Sequence, residues 1–357
     1  MDIFLAIVLM IVGLFLLIKG SDAFVDVGTK IGKMFKLSEV VIGLTIVCIG
    51  TSLPELLLSI TASAKNSSDF LLGNIIGTNL FNMCCILGLI FVTNPLKLLR
   101  QTIRKDMNMS LISSIVLFVL LIDIVDPQAT HNAITRTDGI ILLLFFAIFM
   151  YYTLYEFGEY LRDQREKKYR DSKAKKVILQ KSAYTSEHTH SANHNNENDK
   201  VFSMKDMKKL VIDLALLLIC IAVVYIGAEL VVNNAVVIAR HFNVSETLIS
   251  ISIIAVGTSL PEISTSFAAI KKNRLNIAIG NLVGSNMFNT LFVIGSSALI
   301  NPIRVTTPSL AIDAGVFVLV CLVMRLFTKK KPEVSAMEGF TLLSIYACYI
   351  VYVLYRH

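Results

Sequence analysis

Tryptophan is absent from this chain of 357 residues, and charge is scarce: 17% of residues are Asp, Glu, Lys or Arg, against 55% hydrophobic. Soluble domains carry about 25% charged residues, so this composition excludes an ordinary soluble globule. The N-terminus has no basic stretch before its first apolar run and no small-residue cleavage site. Residues 2–18 therefore read as a retained helix, not a signal peptide. None of Cys48, Cys84, Cys85, Cys220, Cys321 and Cys348 sits in a C-x-x-C pair. That argues against a zinc or redox site and leaves them as small buried apolar side chains. No H-E-x-x-H or G-x-S-x-G string falls in an apolar run, which argues against an intramembrane enzyme. Without Trp, the aromatic belt falls to the 11 Tyr, of which Tyr151, Tyr152, Tyr155, Tyr225 and Tyr355 stand near expected helix ends or gating segments.

What the chain does have is apolar length. Runs at about 2–18, 38–63, 70–93, 108–125, 138–157, 210–232, 245–270, 275–299, 309–327 and 339–355 each approach what a helix needs to cross roughly 30 Å of hydrocarbon. The first and sixth continue as weakly amphipathic stretches, 20–35 and 227–242. The expected fold is an all-α polytopic membrane protein with ten transmembrane helices. The net charge of +7 suggests nucleic acid until it is mapped: all of the 33 Lys and Arg except Lys65, Arg136, Arg240, Arg304 and Arg356 fall on one alternating set of loops. The positive-inside rule places that set in the cytoplasm and both termini outside a plasma membrane. The basic excess is then a topology signal within a lipid bilayer, with no nucleic-acid partner implied.

The string GTSLPE occurs twice, at Gly50–Glu55 and Gly257–Glu262, 207 residues apart and each time inside an apolar run. Aligned at that offset without gaps, residues 38–82 and 245–289 agree at 20 of 45 positions. The agreement includes a later block, Gly73-Asn74…Gly77-Thr78-Asn79…Phe81-Asn82 against Gly280-Asn281…Gly284-Ser285-Asn286…Phe288-Asn289. This is an internal duplication. The expected units are a first five-helix repeat at 1–157, a mostly disordered cytoplasmic linker at 158–209, and a second repeat at 210–357. An odd helix count per copy inverts the second copy in the membrane, an arrangement that places a site at the bilayer midplane. The linker is polar and poor in large apolar residues, and His188, His190 and His194 read as part of a solvated segment.

A carboxylate deep in a membrane costs at least ~2.5 kcal/mol. Glu55 and Glu262 each bear that cost behind a proline. Pro54 and Pro261 cannot donate a backbone hydrogen bond, and each displaces the carbonyl four residues back. Free carbonyls at that depth are tolerated only against protein, water or an ion. Beside them stand the hydroxyls of Thr51, Ser52, Thr258 and Ser259, and the second block adds Asn74, Thr78, Asn82, Asn281, Ser285 and Asn289. Such hard oxygen donors suit Ca²⁺ or Na⁺. No Lys or Arg lies in the central part of these four helices to neutralise either glutamate, which leaves an external cation or a proton. Gly73/Gly77 and Gly280/Gly284, each four apart, are expected to let neighbouring helices approach closely.

These paired motifs resemble the cation/calcium antiporter superfamily, and most closely its prokaryotic sodium/calcium exchanger branch, over nearly the whole chain. The resemblance implies that Glu55 and Glu262 form a calcium site helped by the carbonyls of Thr51 and Thr258. It implies flanking sodium sites lined by Ser52, Thr78, Ser259 and Ser285, with Asn82 and Asn289 at the centre and backbone oxygens of Cys48 and Ala255 at the edges. It further implies that the first and sixth helices slide as a gating pair, with no cofactor beyond the transported Ca²⁺ and Na⁺, and that the usual direction is Ca²⁺ extrusion. Potassium-dependent members have Asp where Asn289 stands here, which argues against K⁺ coupling. Two carboxylates match one Ca²⁺ in charge, so exchange for three Na⁺ would be electrogenic. An H⁺/Ca²⁺ antiporter and a passive cation channel are the competing readings; discontinuous midplane helices favour a transporter over a channel. Because the linker has no core of its own, deletion of about residues 180–200 is expected to leave cation flux in sealed vesicles near the parent rate.

Overall fold

A computed structural model describes residues 3–94, 96–97, 102–122, 133–155, 158, 162, 204–242, 255–305, 309–330 and 333–356. The histidine-bearing part of the linker and residues 243–254 lie outside them. The described residues are nearly all helical. The helices are α1 (Ile3–Met34), α2 (Glu39–Thr51 and Leu53–Ala64, bent by 47°), α3 (Ser68–Thr93), α4 (Thr102–Ile122), α5 (Arg136–Tyr155), α6 (Met204–His241), α7 (Ala255–Thr258 and Leu260–Lys271), α8 (Leu275–Ile300), α9 (Ser309–Lys330) and α10 (Ala336–Arg356). Eight are long and apolar enough to cross a membrane, and the bent pair in α2 makes a ninth. At 1.5 Å per residue, α1 and α6 run to roughly 48 and 57 Å, well past the hydrocarbon thickness. The sequence reading ended their apolar runs near 18 and 232; the backbone continues as one helix through both amphipathic extensions, and α6 begins at Met204, not 210.

α3 and α8 are the buried axis of the molecule, whereas α1, α5, α6 and α10 turn most of their apolar surface outward. In a membrane that outward face meets lipid, so exposed Phe4, Ile11, Phe15, Leu218 and Ile219 sit in their proper solvent. Without a hydrophobic force between helices, packing depends on close backbone approach, and glycine supplies it. A Cβ on Gly13 of α1 would stand 2.9 Å from Gly227 O of α6. One on Gly139 would stand 2.8 Å from Gly295 O, joining α5 to α8, and one on Gly339 would stand 2.6 Å from Gly88 O, joining α10 to α3. Two short antiparallel pairs tie loop ends together: β1 (Leu96–Lys97) with β4 (Glu333–Val334), and β2 (Ala133–Ile134) with β3 (Ile303–Arg304).

The 207-residue offset is visible in local geometry. The helix breaks at Ser52 (φ −91°, ψ 7°) and at Ser259 (φ −90°, ψ 3°), and each following segment carries its proline in the first turn, where the missing N–H costs nothing. The turn after each segment has an asparagine in the left-handed region, Asn66 (φ 58°) and Asn273 (φ 56°). A bond from Ser67 N–H to Ala62 O, and from Arg274 N–H to Ala269 O, closes the two helix ends alike. α3 and α8 each widen into a π-helical stretch at the same place, Phe81–Ile86 and Phe288–Val293. The glycine expectation holds for one half: Gly280 and Gly284 pack on Val40 O, Leu44 and Cys48 of α2. Gly73 and Gly77 meet no close backbone among the described residues, because the segment equivalent to that stretch of α2 lies outside them. A side chain at Gly280 would press on Val40 O at 2.7 Å, so Gly280→Ala is expected to destabilise by ~1–3 kcal/mol. Gly28→Ala, whose nearest neighbour is 3.6 Å away, is expected to be tolerated; thermal unfolding of the purified protein in detergent checks both.

Candidate cation site

The two helix breaks meet across the middle of the molecule. Glu55 and Glu262 lie in the first turn after each break and are 1% and 0% exposed. Ser52, at the first break, donates its hydroxyl to Glu262 Oε1 at 3.3 Å, so the first half contributes to the carboxylate environment of the second. Thr51 fastens the same break to α8: its hydroxyl lies 3.1 Å from Asn281 Oδ1 and 3.4 Å from Ser285 Oγ. It also reaches Cys48 O at 3.2 Å, and that carbonyl accepts Ser52 N–H as well. Cys48 O is thus already engaged twice. Thr78, Ser259 and Ser285 are buried, and Thr258 lines a cavity shared with Glu55. Ala255 opens the described first segment of α7, which packs against α3.

Beside the carboxylates, Asn82 and Asn289 belong to an asparagine relay completed by Asn79 and Asn286, two residues that the sequence does not single out. Asn82 donates its amide to Asn286 Oδ1 at 3.2 Å, and Asn289 donates to Asn79 Oδ1 at 3.3 Å. Asn286 in turn donates to Asn79 O at 3.0 Å, and Asn79 to Thr290 Oγ1 at 2.9 Å. The consequence is directional. The NH₂ groups of Asn82 and Asn289 are consumed within the protein, and among the described residues their buried Oδ1 atoms have no hydrogen-bond partner. Both oxygens of Glu55, Oε2 of Glu262 and Oγ of Ser259 share that condition. A buried polar atom without a partner costs about 1–3 kcal/mol, and more when charged. Here the orphans are oxygen atoms, drawn from α2, α3, α7 and α8. The four helices carry no Lys or Arg over 38–64, 68–93, 255–270 or 275–300. Among the described residues no cluster of His, Cys, Asp or Glu forms a softer ligand set. An all-oxygen set with two carboxylates is the chemistry of a hard cation.

A cavity of about 180 Å³ reaches Glu55 between α6 and the two breaks, past Tyr225, Glu229 and Asn233. A second space, of only about 10 Å³, lies where Phe24 of α1, Gly50 and Pro54 meet Ile221, Val224 and Tyr225 of α6. Phe24 packs on the first break: a Cβ on Gly50 would stand 2.5 Å from its ring.

A nearly all-helical bundle with a broken-helix, all-oxygen centre defines a membrane transporter class, and comparison with known proteins gives the family. The sodium/calcium exchanger protein family model matches residues 5–155 and 212–355, and the chain belongs to that family. It is 30% identical to the sodium/calcium exchanger MaX1 of Methanosarcina acetivorans over 97% of this chain and 98% of that one. It is 29% identical to the inner membrane protein YrbG of Escherichia coli over 92% and 90% of the two chains. The solved structure of the sodium-calcium exchanger NCX_Mj superimposes with a TM-score of 0.74 at 27% identity, covering 98% of this chain and 99% of that one.

The relay makes a specific demand on Asn79 and Asn286. Replacing either with Leu strands a buried amide or carbonyl, at ~1–3 kcal/mol, and frees a neighbouring Asn to turn its oxygen away. Thermal unfolding with and without Ca²⁺ is expected to show a lower midpoint in each variant and a smaller upward shift on adding Ca²⁺.

Proposed function

We propose that this protein is a Na⁺/Ca²⁺ antiporter that works by alternating access at a midplane site built on Glu55 and Glu262. The observation that carries the reading is the set of buried oxygens that, among the described residues, have no partner around two carboxylates, on four helices with no Lys or Arg in their central parts. One Ca²⁺ balances both charges. Na⁺ accepts the same hard donors at lower charge, so several Na⁺ can replace one Ca²⁺ across the carboxylates, the Ser52, Thr78, Ser259 and Ser285 hydroxyls and the Asn82 and Asn289 oxygens. Thr51 and Thr258 contribute carbonyls from the breaks, with Cys48 and Ala255 at the outer edge.

The matching backbone at Ser52 and Ser259 supports two inverted five-helix repeats, 1–157 and 210–357, joined by the cytoplasmic segment 158–209. With ten spans and the basic loops inside, both termini face outward across the plasma membrane. The C-terminal half of α6 then lies toward the exterior, and the cavity beside it opens to that side. α1 and α6, long and joined at Gly13 and Gly227, move as a unit across the breaks, closing one cavity as they open the other. Physiologically inward Na⁺ flow would drive Ca²⁺ outward.

The test is Ca²⁺ flux into sealed vesicles under an imposed Na⁺, K⁺ or H⁺ gradient, one at a time. Na⁺ alone is expected to drive it; flux driven only by H⁺ would replace this reading with proton exchange. Glu55→Gln or Glu262→Gln keeps the shape but halves the site's charge, and is expected to reduce flux to background while the variant still folds.

A further inference from the structure

α6 carries a carboxylate that nothing so far has used. Glu229 lies 12 residues before the end of α6; the other carboxylate in its membrane stretch, Asp213, is paired with Lys30. A charge on a lipid-facing helix surface is costly, and it is tolerated where it faces a water-filled cavity. Glu229 lines the same cavity of about 180 Å³ as Glu55. It is exposed, and among the described residues neither an ion pair nor a hydrogen bond engages it. Glu55, at the inner end, is buried with both oxygens unpartnered. One carboxylate at the mouth and one at the end of a single cavity form a two-stage path for a cation.

The duplication supplies an independent observation. Counting back 207 residues from Glu229 on α6 gives Asp22 on α1. Asp22 stands two residues from Phe24, which packs on Gly50 of the first break. On that side Lys272 donates to Asp22 O at 2.6 Å and pairs with Asp26 at 2.6 Å, so a protein cation sits against this stretch of α1. The position equivalent to Asp26 on the open side is Asn233, which carries no charge to hold such a cation. Among the described residues no ion pair engages Glu229, whereas Lys272 sits against the Asp22–Asp26 stretch of α1.

We infer that Glu229 is the cation-capturing residue of the open entrance, concentrating Ca²⁺ before it passes to Glu55, and that Asp22 has the same role at the opposite entrance. This inference rests on the antiporter reading above. The physics is focusing of field in a low-dielectric cleft, which raises the local cation concentration and the on-rate by about 10–10³-fold in favourable cases. Coulomb energy scales with charge, so the effect is larger for Ca²⁺ than for Na⁺. Glu229 is a positioning residue: it meets the ion on the way in and does not hold it at the site.

The experiment is Ca²⁺ uptake in oriented vesicles, reading KM and kcat for Ca²⁺ and Na⁺ on each face. Glu229→Gln is expected to raise KM for Ca²⁺ about fivefold or more at low ionic strength, on its own face only. KM for Na⁺ rises less, kcat is unchanged, and the Ca²⁺ effect shrinks as salt screens it. Glu229→Asp restores most of the parent KM, and Asp22→Asn raises KM on the other face. An unchanged KM for Ca²⁺ in Glu229→Gln overturns the inference, as does a fall in kcat alone or an equal effect on both faces. If the parent moves Ca²⁺ against Na⁺ and Glu229→Gln behaves like it, only this inference fails. If the parent shows no Na⁺-driven flux, the antiporter reading itself has failed.

Discussion

Two carboxylates buried in a low-dielectric interior, with no protein cation beside them, are the constraint on which the rest of this structure depends. Ionised, they repel each other and each has surrendered its hydration; such a pair persists only if a counter-charge arrives or protons remain. The broken helices, the serine that reaches from one half to the other's glutamate, and the asparagine relay all follow from the need to surround those charges with donors and acceptors in fixed directions. On the antiporter reading the cargo ion would be a structural component, and its departure would leave a set of unpaired oxygens that favours refilling.

Duplication explains how a chain of one sequence can offer such a site to two sides. Local geometry repeats at the 207-residue offset in the two breaks, the two left-handed asparagines and the two π-helical stretches. Repetition in sequence does not require identity in conformation: among the described residues, the cavity that reaches Glu55 lies beside α6. On the antiporter reading proposed above, a second state with the halves exchanged would give alternating access.

Much of this was legible in the chain. The apolar runs marked the helices, the GTSLPE pairs marked the breaks, and the absence of Lys and Arg from the four central helices marked the uncompensated charge. What was not legible has physical causes. Asn79 and Asn286 appeared in the aligned block, yet nothing in a linear pattern says that these two fix the orientation of Asn82 and Asn289. The π-helical widening begins at Phe81 and Phe288, between the two members of each pair, and shifts which residues share a face. Glu229 passed as one charge in an amphipathic extension, since its meaning depends on a cavity formed with residues far away in sequence.

The most direct test of the central claim is to locate the ion. Crystals soaked in Sr²⁺, a heavier stand-in for Ca²⁺, would show it by anomalous scattering. The account predicts one strong peak between the Glu55 and Glu262 carboxylates, facing the Oδ1 atoms of Asn82 and Asn289, and its loss when Na⁺ replaces Sr²⁺ in the soak. A peak elsewhere, or one that persists unchanged in the Glu55→Gln and Glu262→Gln double variant, would contradict it.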